Sequence, residues 1–103
     1  MVQIDFNSNR HEEAVGDVCS LSFDRGGEAL AAGNSKSAVS IYDVKTGNRL
    51  RNLNCHSAAV TAISWNRSSS APYLVATGSA DSSIVFHDVR KKMSVISQIR
   101  SLH

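Results

Sequence analysis

The chain has 103 residues, of which 42% are hydrophobic and 19% charged, a composition typical of a globular piece and too apolar for a disordered tail. Eleven Lys and Arg against nine Asp and Glu leave a net charge of +2, which is too small to indicate a phosphate-binding surface for nucleic acid or membrane. No apolar run approaches the ~20 residues that span a bilayer, and the start lacks the basic flank and apolar stretch of a secretion signal. We therefore expect an intracellular protein, of the nucleus or the cytoplasm, with no nucleic-acid or membrane partner.

Eight short strands are predicted along the chain, because Val, Ile, Ser and Ala recur between turn-forming clusters. The turn sequences Asp24–Gly27 and Lys45–Asn48 are typical of tight hairpins. The pattern therefore predicts an all-β fold of antiparallel strands. The predicted strands are Asp17–Phe23, Ala29–Gly33, Ala38–Asp43, Arg49–Leu53, Val60–Trp65, Tyr73–Gly78, Ser83–Asp88 and Ser94–Ile99.

The two halves of the chain are copies of each other. At an offset of 42 residues Val18–Phe23 aligns with Val60–Trp65, and at an offset of 45 residues Leu30–Gly33 aligns with Val75–Gly78. One insertion in the serine-rich loop Arg67–Pro72 explains the shift. Four antiparallel strands in ~40–45 residues is the period of a propeller blade, so the fold predicted is two four-stranded blades.

The repeat also predicts the domain organisation. We divide the chain into a lead-in at residues 1–15, a candidate for the last strand of a preceding blade, a first blade at 16–55 and a second blade at 56–103. Closed propellers have about four to eight blades. Two blades therefore form a fragment of a propeller, with two broad apolar faces open unless other copies or further blades cover them.

The second copy carries a specific motif. It has His56 before its first strand Val60–Trp65, Thr77 in its second strand, and Asp81 in the next turn, and it resembles one WD40 repeat throughout. In that family these positions form a hydrogen-bonded network with a Trp in the third strand, where this chain has His87. We expect one ring nitrogen of His56 to meet Asp81 and the other to meet Thr77, leaving no buried polar group unpaired.

The first copy lacks this network. Ala14 and Lys36 occupy the positions of the His and the Asp, and Tyr42 occupies the position of the Trp. The first blade is therefore a degenerate WD40 repeat, which we expect to depend on packing alone.

Two kinds of chemistry compete with the structural interpretation. A hydrolase could use His56 and Asp81 in a nucleophilic triad, but no nucleophile elbow or oxyanion signature accompanies them, and we keep this as a remote alternative. Cys55 and His56 could form half of a metal site, but no second Cys/His pair lies at ligand spacing, and Cys19 and Cys55 cannot form a disulfide framework. We predict no catalytic residue, no metal, no cofactor and no small-molecule substrate.

Three segments are more specific than the general WD40 motif and resemble one group of WD40 proteins. The segments Arg49–Ala58, Ser64–Asn66 and His87–Arg90 resemble the fizzy-type activators of the anaphase-promoting complex, over a region from about Gly16 to about Arg90. In that family they correspond to the second and third blades of a ring of about seven. The resemblance implies non-catalytic recruitment: the whole propeller binds the KEN box and the destruction box of substrates and presents them for ubiquitin transfer in cell-cycle protein degradation.

Two positions depart from that family. It usually has Arg where this chain has Ala59, before the first strand of the second copy, and Ala80, before the turn aspartate. Both positions are predicted to lie toward one propeller face, where the loss of two cations changes what the face attracts. The alternative function is therefore a generic WD40 interaction scaffold of another complex.

Overall fold

The computed structural model describes residues 16–90 and 95–100, and all regular structure in this part of the chain is β. The strands form two four-stranded antiparallel sheets, β1-β2-β3-β4 and β5-β6-β7-β8. The predicted all-β fold of two four-stranded blades is confirmed, and each strand end lies within about one residue of its prediction. The predicted lead-in at residues 1–15 lies outside the described residues. The strands are β1 (Val18–Phe23), β2 (Ala29–Asn34), β3 (Val39–Asp43), β4 (Arg49–Leu53), β5 (Val60–Trp65), β6 (Leu74–Ser79), β7 (Ser83–Asp88) and β8 (Val95–Arg100).

The internal repeat extends to the register of the sheets. In the first sheet the pairing of β1 with β2 shifts after Val18, and in the second sheet the pairing of β5 with β6 shifts after Val60. A second irregularity follows Ile41 in β3 and its equivalent Phe86 in β7. Residues aligned by the sequence repeat therefore occupy equivalent places in the two blades.

Carboxylates close the hairpins of the first blade. Asp24 accepts hydrogen bonds from the backbone amides of Glu28 and Ala29 at 2.8 and 3.2 Å. In the next hairpin, where Gly47 has a φ of 78°, Asp43 accepts from the Lys45 amide at 3.0 Å and from the Thr46 hydroxyl at 3.1 Å. These side chains satisfy turn amides that the sheet leaves unpaired. In the second blade the corresponding connection between β5 and β6 contains the mostly exposed insertion 67–72.

The two blades pack through β5, which lies against β1 and β2. Gly33 in β2 makes the close approach possible, because a Cβ there would lie 2.6 Å from Cγ1 of Val60. At the other end of β5 the indole Nε1 of Trp65 donates to the Ser22 carbonyl at 2.8 Å. The shared core consists of Ala31, Val39, Ile41, Leu53, Val60, Trp65 and Val75.

The first blade has a polar contact that the sequence did not predict. Ser35, in the turn after β2, accepts a hydrogen bond from the Asp17 amide through Oγ at 2.9 Å, and its own amide donates to the Asp17 carbonyl at 2.8 Å. The neighbouring Lys36 is exposed and Tyr42 is buried. The expectation that this blade depends on packing alone was wrong, because a serine one position before Lys36 fastens the turn instead.

Substituting Gly33 tests how tightly the blades pack. We expect Gly33→Ala to destabilise the chain by about 1–3 kcal/mol, because the added methyl overlaps Val60 and Ser20 Oγ. The matched control is Gly26→Ala, where the new Cβ would lie 3.8 Å from the nearest atom, in Glu28. Urea unfolding followed by Trp65 fluorescence measures both. Equal stability of the two variants would contradict the close approach.

Candidate functional site

The structure brings His56, Thr77 and Asp81 together at one end of the second blade. His56, in the segment between β4 and β5, has Nε2 2.8 Å from the Thr77 hydroxyl in β6. Its Nδ1 lies 3.3 Å from Asp81 Oδ2 and 3.0 Å from the hydroxyl of Ser83, at the start of β7. The carboxylate only accepts, so Nδ1 carries the proton and Nε2 accepts from Thr77. His56 thereby connects three chain segments that are distant in sequence.

Asp81 organises the turn between β6 and β7. Its Oδ2 accepts from the Ser57 amide at 2.8 Å, and its Oδ1 accepts from the Ser83 amide at 2.9 Å and from the Ser83 hydroxyl. Burial raises the pKa of Asp81, but the hydrogen bonds from Ser83 and Ser57, together with the nearby His56, outweigh burial and hold that pKa well below its usual range. The carboxyl group therefore stays ionised and keeps the loop before β5 attached to the turn.

His87 extends the network into the interior of the sheet. Its Nε2 lies 3.0 Å from the Thr77 hydroxyl and 3.4 Å from the Cys55 sulfur. Because the Thr77 hydrogen is committed to His56, Nε2 of His87 is the donor. Burial, with a smaller effect of His56, lowers the pKa of His87 from 6.5 to about 4, so the ring is neutral at pH 7.

One expectation about this network was wrong. Nδ1 of His87 is buried and has no hydrogen-bond partner, although the network was expected to leave no buried polar group unpaired. The reason is chemical: an indole at this position has a single polar atom, which Thr77 can satisfy, whereas imidazole has a second nitrogen that needs a partner of its own.

Sequence reasoning missed two participants. Ser83 bonds both His56 and Asp81, and its place two residues after the turn aspartate, typical of an Asx turn, could have indicated it. Cys55 precedes His56 and contacts His87; burial raises the pKa of its thiol to about 11, so the thiol stays protonated at neutral pH.

The order Thr77, His56, Asp81 has the connectivity of a nucleophilic triad, as the hydrolase alternative requires. However, Thr77 is 0% exposed and the side chain of His56 is also 0% exposed, so neither group reaches the solvent. Among the residues that the structure describes, no cluster of three or more His, Cys, Asp or Glu could hold a metal ion. No helix in the described ranges is long and apolar enough to cross a membrane.

Ala59 and Ala80 lie beside this network. The Ala80 amide donates to the Ala59 carbonyl at 3.0 Å, which places the two methyl-bearing positions on the same end of the second blade. Ala80 is exposed and Ala59 is half-buried. We call this surface, defined by Ala59, Ala80 and the turn at Asp81, the alanine face.

A groove of about 690 Å³ lies between the blades at the other end of β5. Its apolar wall includes Leu50 and Trp65, and Tyr73 lies at its rim under the guanidinium of Arg90, 3.3 Å from the ring centroid. Arg90 is held there by two hydrogen bonds to Asp88, at 3.1 and 2.9 Å. In the described part of the chain this groove is separate from the alanine face, and the sequence analysis did not predict it as a site.

Comparison with known proteins decides the family. Residues 3–68 match the family model described as the anaphase-promoting complex subunit 4 WD40 domain. The chain belongs to this WD40 family. A chain of the mitotic checkpoint complex crystal structure superimposes with a TM-score of 0.75 and 32% sequence identity, over 82% of this chain and 24% of that chain. Chaetomium thermophilum Sqt1, in a crystal structure bound to the N-terminus of the ribosomal protein L10, shares the fold with a TM-score of 0.78 and 21% identity, over 91% of this chain and 24% of that chain.

The similar curated proteins are of the fizzy type. The chain is 30% identical over 82 residues to the anaphase-promoting complex subunit cdc20 of Dictyostelium discoideum, covering 80% of this chain and 15% of that protein. It is 38% identical over 66 residues to subunit cdh1 of the same organism, covering 64% and 8%. The predicted resemblance to two blades of a fizzy-type activator is confirmed, and the chain spans a small part of the length of these relatives.

Removing the shared hydroxyl tests the energetic role of the network. We expect Thr77→Val to destabilise the chain by about 1–3 kcal/mol, because both His56 and His87 lose a buried hydrogen-bond partner. Thr61→Val, an exposed position in β5, is the matched control and should change stability by less than about 0.5 kcal/mol. Thermal unfolding measures both; a neutral Thr77→Val would contradict a structural role.

The buried neutral His87 makes stability depend on pH. Unfolded His87 binds a proton below about pH 6.5, whereas folded His87 does so near pH 4, so stability is lost as the pH falls through this window. At pH 5 the loss is about 2 kcal/mol, at 1.36 kcal/mol per pH unit. In His87→Phe this component is absent, and the difference between the two stability curves from pH 7 to pH 5 isolates it. Parallel curves would contradict the assignment.

Proposed function

We propose that the chain is a non-catalytic, substrate-recruiting WD40 module of a fizzy-like activator of the anaphase-promoting complex. The observation that carries the proposal is the similarity to the Dictyostelium subunits cdc20 and cdh1, together with the superposition on a chain of the mitotic checkpoint complex. The partners are then the complex itself and substrates bearing a KEN box or a destruction box. The place of action is the nucleus or the cytoplasm.

The role we assign to His56, Thr77, Asp81 and His87 is structural. His56 and Asp81 tie the segment before β5 to the turn after β6, and these are the two segments that carry Ala59 and Ala80. The network thereby fixes the shape of the alanine face without contacting a ligand. Because the network side chains are almost entirely buried, what the face binds is determined by its exposed residues.

The alanine face favours a second candidate function. Ala59 and Ala80 stand where the resemblance to the fizzy-type family implies arginines. A charge-assisted hydrogen bond shielded from water contributes about 1.5–3 kcal/mol to binding. A face without these cations has lost part of what attracts an acidic or carbonyl-rich peptide. The alternative is a WD40 interaction scaffold of another complex.

A chimera distinguishes the two. Residues 16–100 of this chain replace the matching segment of full-length Dictyostelium cdc20, and the chimera is titrated with a KEN-box peptide and a destruction-box peptide. We expect weak binding of at least one peptide, which the pair Ala59→Arg and Ala80→Arg strengthens by at least about tenfold. The 103-residue chain alone should bind either peptide weakly or not at all, because it contributes part of the ring.

A matched control separates position from charge. Ser69→Arg with Ser70→Arg adds the same two charges in the exposed loop between β5 and β6, at the other end of the strands. This control should leave peptide binding unchanged. If the chimera is folded and binds neither peptide, with or without the arginines at positions 59 and 80, the recruitment proposal is wrong and the scaffold function stands.

A further inference from the structure

The loop between β5 and β6 carries an insertion that the first blade lacks. Residues 67–72 are the insertion that shifts the repeat offset from 42 to 45 residues, and the equivalent connection in the first blade is the short hairpin at Asp24–Gly27. The centre of the insertion is a run of three serines, Ser68–Ser70. Neither the network around His56 nor the proposed recruitment of substrates uses this run.

A positive charge distinguishes one of the three serines. Ser70 is the one serine or threonine of the sequence that has an arginine three residues before it, and this arginine is Arg67. At the same distance before Ser68 and Ser69 stand the uncharged residues Trp65 and Asn66. Serine/threonine kinases choose their acceptors partly by such charge patterns. The insertion therefore contains one serine in the setting that an arginine-selecting kinase recognises.

The structure presents this serine at the surface in a loop whose described hydrogen bonds are local. Residues 67–70 are exposed and lie outside the strands. The Ser70 amide donates to the Ser68 hydroxyl at 3.3 Å, the hydroxyls of Ser68 and Ser70 are 2.7 Å apart, and the Ser68 amide donates to Asn66 Oδ1 at 3.1 Å. Opening an exposed loop of this kind breaks no strand pairing and has a low free-energy cost. A kinase can therefore bind the segment in an extended conformation while the blade stays folded.

The neighbours of Ser70 are also compatible with a phosphate. The exposed hydroxyl of Ser57, by contrast, donates to the Asp81 carboxylate at 3.4 Å, so a phosphate there would bring two negative groups together. The hydroxyl beside Ser70 is that of Ser68, a neutral group that can donate to a phosphate oxygen. Modification of Ser70 therefore replaces one hydrogen bond with a stronger one to a charged acceptor.

We propose that Ser70 is a phosphorylation site for a serine/threonine kinase that selects arginine three residues before its acceptor. The co-reactant is Mg-ATP: Ser70 Oγ forms a bond to the γ-phosphorus as the bond from this phosphorus to the β,γ-bridging oxygen breaks. The hydroxyl proton passes to the catalytic aspartate of the kinase, and ADP leaves. The proposal does not depend on the proposed function.

The phosphate would reverse the charge of the loop. The segment 66–73 contains Arg67 and no Asp or Glu, and a phosphoserine adds a charge of about −1.5 to −2 at neutral pH. Pro72 and Tyr73 of the same segment line the groove at the Trp65 end of β5. Phosphorylation of Ser70 thus changes the charge beside this groove, at the end of β5 opposite the alanine face.

The first test is phosphorylation of the folded 103-residue chain by Mg-ATP and a purified kinase that selects arginine at this position. Mass spectrometry of the digested chain locates the phosphate and measures its initial rate of incorporation at position 70. We expect phosphate on Ser70 in the unaltered chain and none at position 70 in Ser70→Ala. Arg67→Ala should lower the rate at Ser70 by at least about tenfold, because the kinase loses the charge that it selects.

Two matched controls keep the loop and the number of charges comparable. Ser69→Ala removes the adjacent hydroxyl, and Arg25→Ala removes an exposed arginine from the equivalent hairpin of the first blade. Both should leave the rate at Ser70 unchanged. Trp65 emission shows whether each variant is folded, because Trp65 is buried. The proposal is overturned if position 70 of the folded, unaltered chain carries no phosphate, or if Arg67→Ala and Arg25→Ala lower the rate equally.

A third comparison tests whether the fold presents the loop. A synthetic peptide of residues 62–75 and the folded chimera with Dictyostelium cdc20 are treated with the same kinase. We expect the chain and the chimera to be phosphorylated at Ser70 within about tenfold of the rate of the peptide, because the loop opens locally. Phosphorylation of the peptide without phosphorylation of the folded chimera would overturn the proposal, since the loop would then be inaccessible in a complete ring.

Discussion

The close approach of β5 to the first sheet is the contact on which the rest of the structure depends. Val60 packs on the backbone at Gly33, the Ser20 hydroxyl donates to the Val60 carbonyl at 2.9 Å, and the indole of Trp65 donates to Ser22. Hydrogen bonds at both ends of this tightly packed strand fix both the distance and the orientation of the second blade relative to the first. The angle between the blades, the groove at the Trp65 end and the position of the alanine face all follow from it.

The two blades attach the same two chain segments to each other through different hydrogen bonds. Each attaches the segment entering its first strand to the turn between its second and third strands. The first blade uses backbone and hydroxyl bonds between Asp17 and Ser35. The second uses the ionised Asp81 and the buried His56, a set whose members depend on one another because each buried polar atom needs its partner. The second blade is therefore more specific in geometry and more sensitive to substitution and pH.

The main residues of the candidate site could be predicted from the sequence, but not all of their hydrogen bonds. The resemblance of the second copy to a WD40 repeat implied that His56, Thr77 and Asp81 meet, and the structure brings these three side chains together. Ser83 escaped prediction because serine is common in turns. The unpaired Nδ1 of His87 escaped because its surroundings come from packing, which no local pattern encodes.

The sequence by itself determined the eight strands, their turns and the repeat, because strand-forming runs, turn chemistry and spacing are local properties of the chain. Its motif residues carried the resemblance to the family. The tertiary structure alone decided which of two equivalent surfaces is covered. Val18 and Val60 are the same residue at the same register position, yet one is 39% exposed and the other 0%. Burial depends on what packs against a residue from a distant part of the chain, and two residues that match in type and register carry no record of that neighbour.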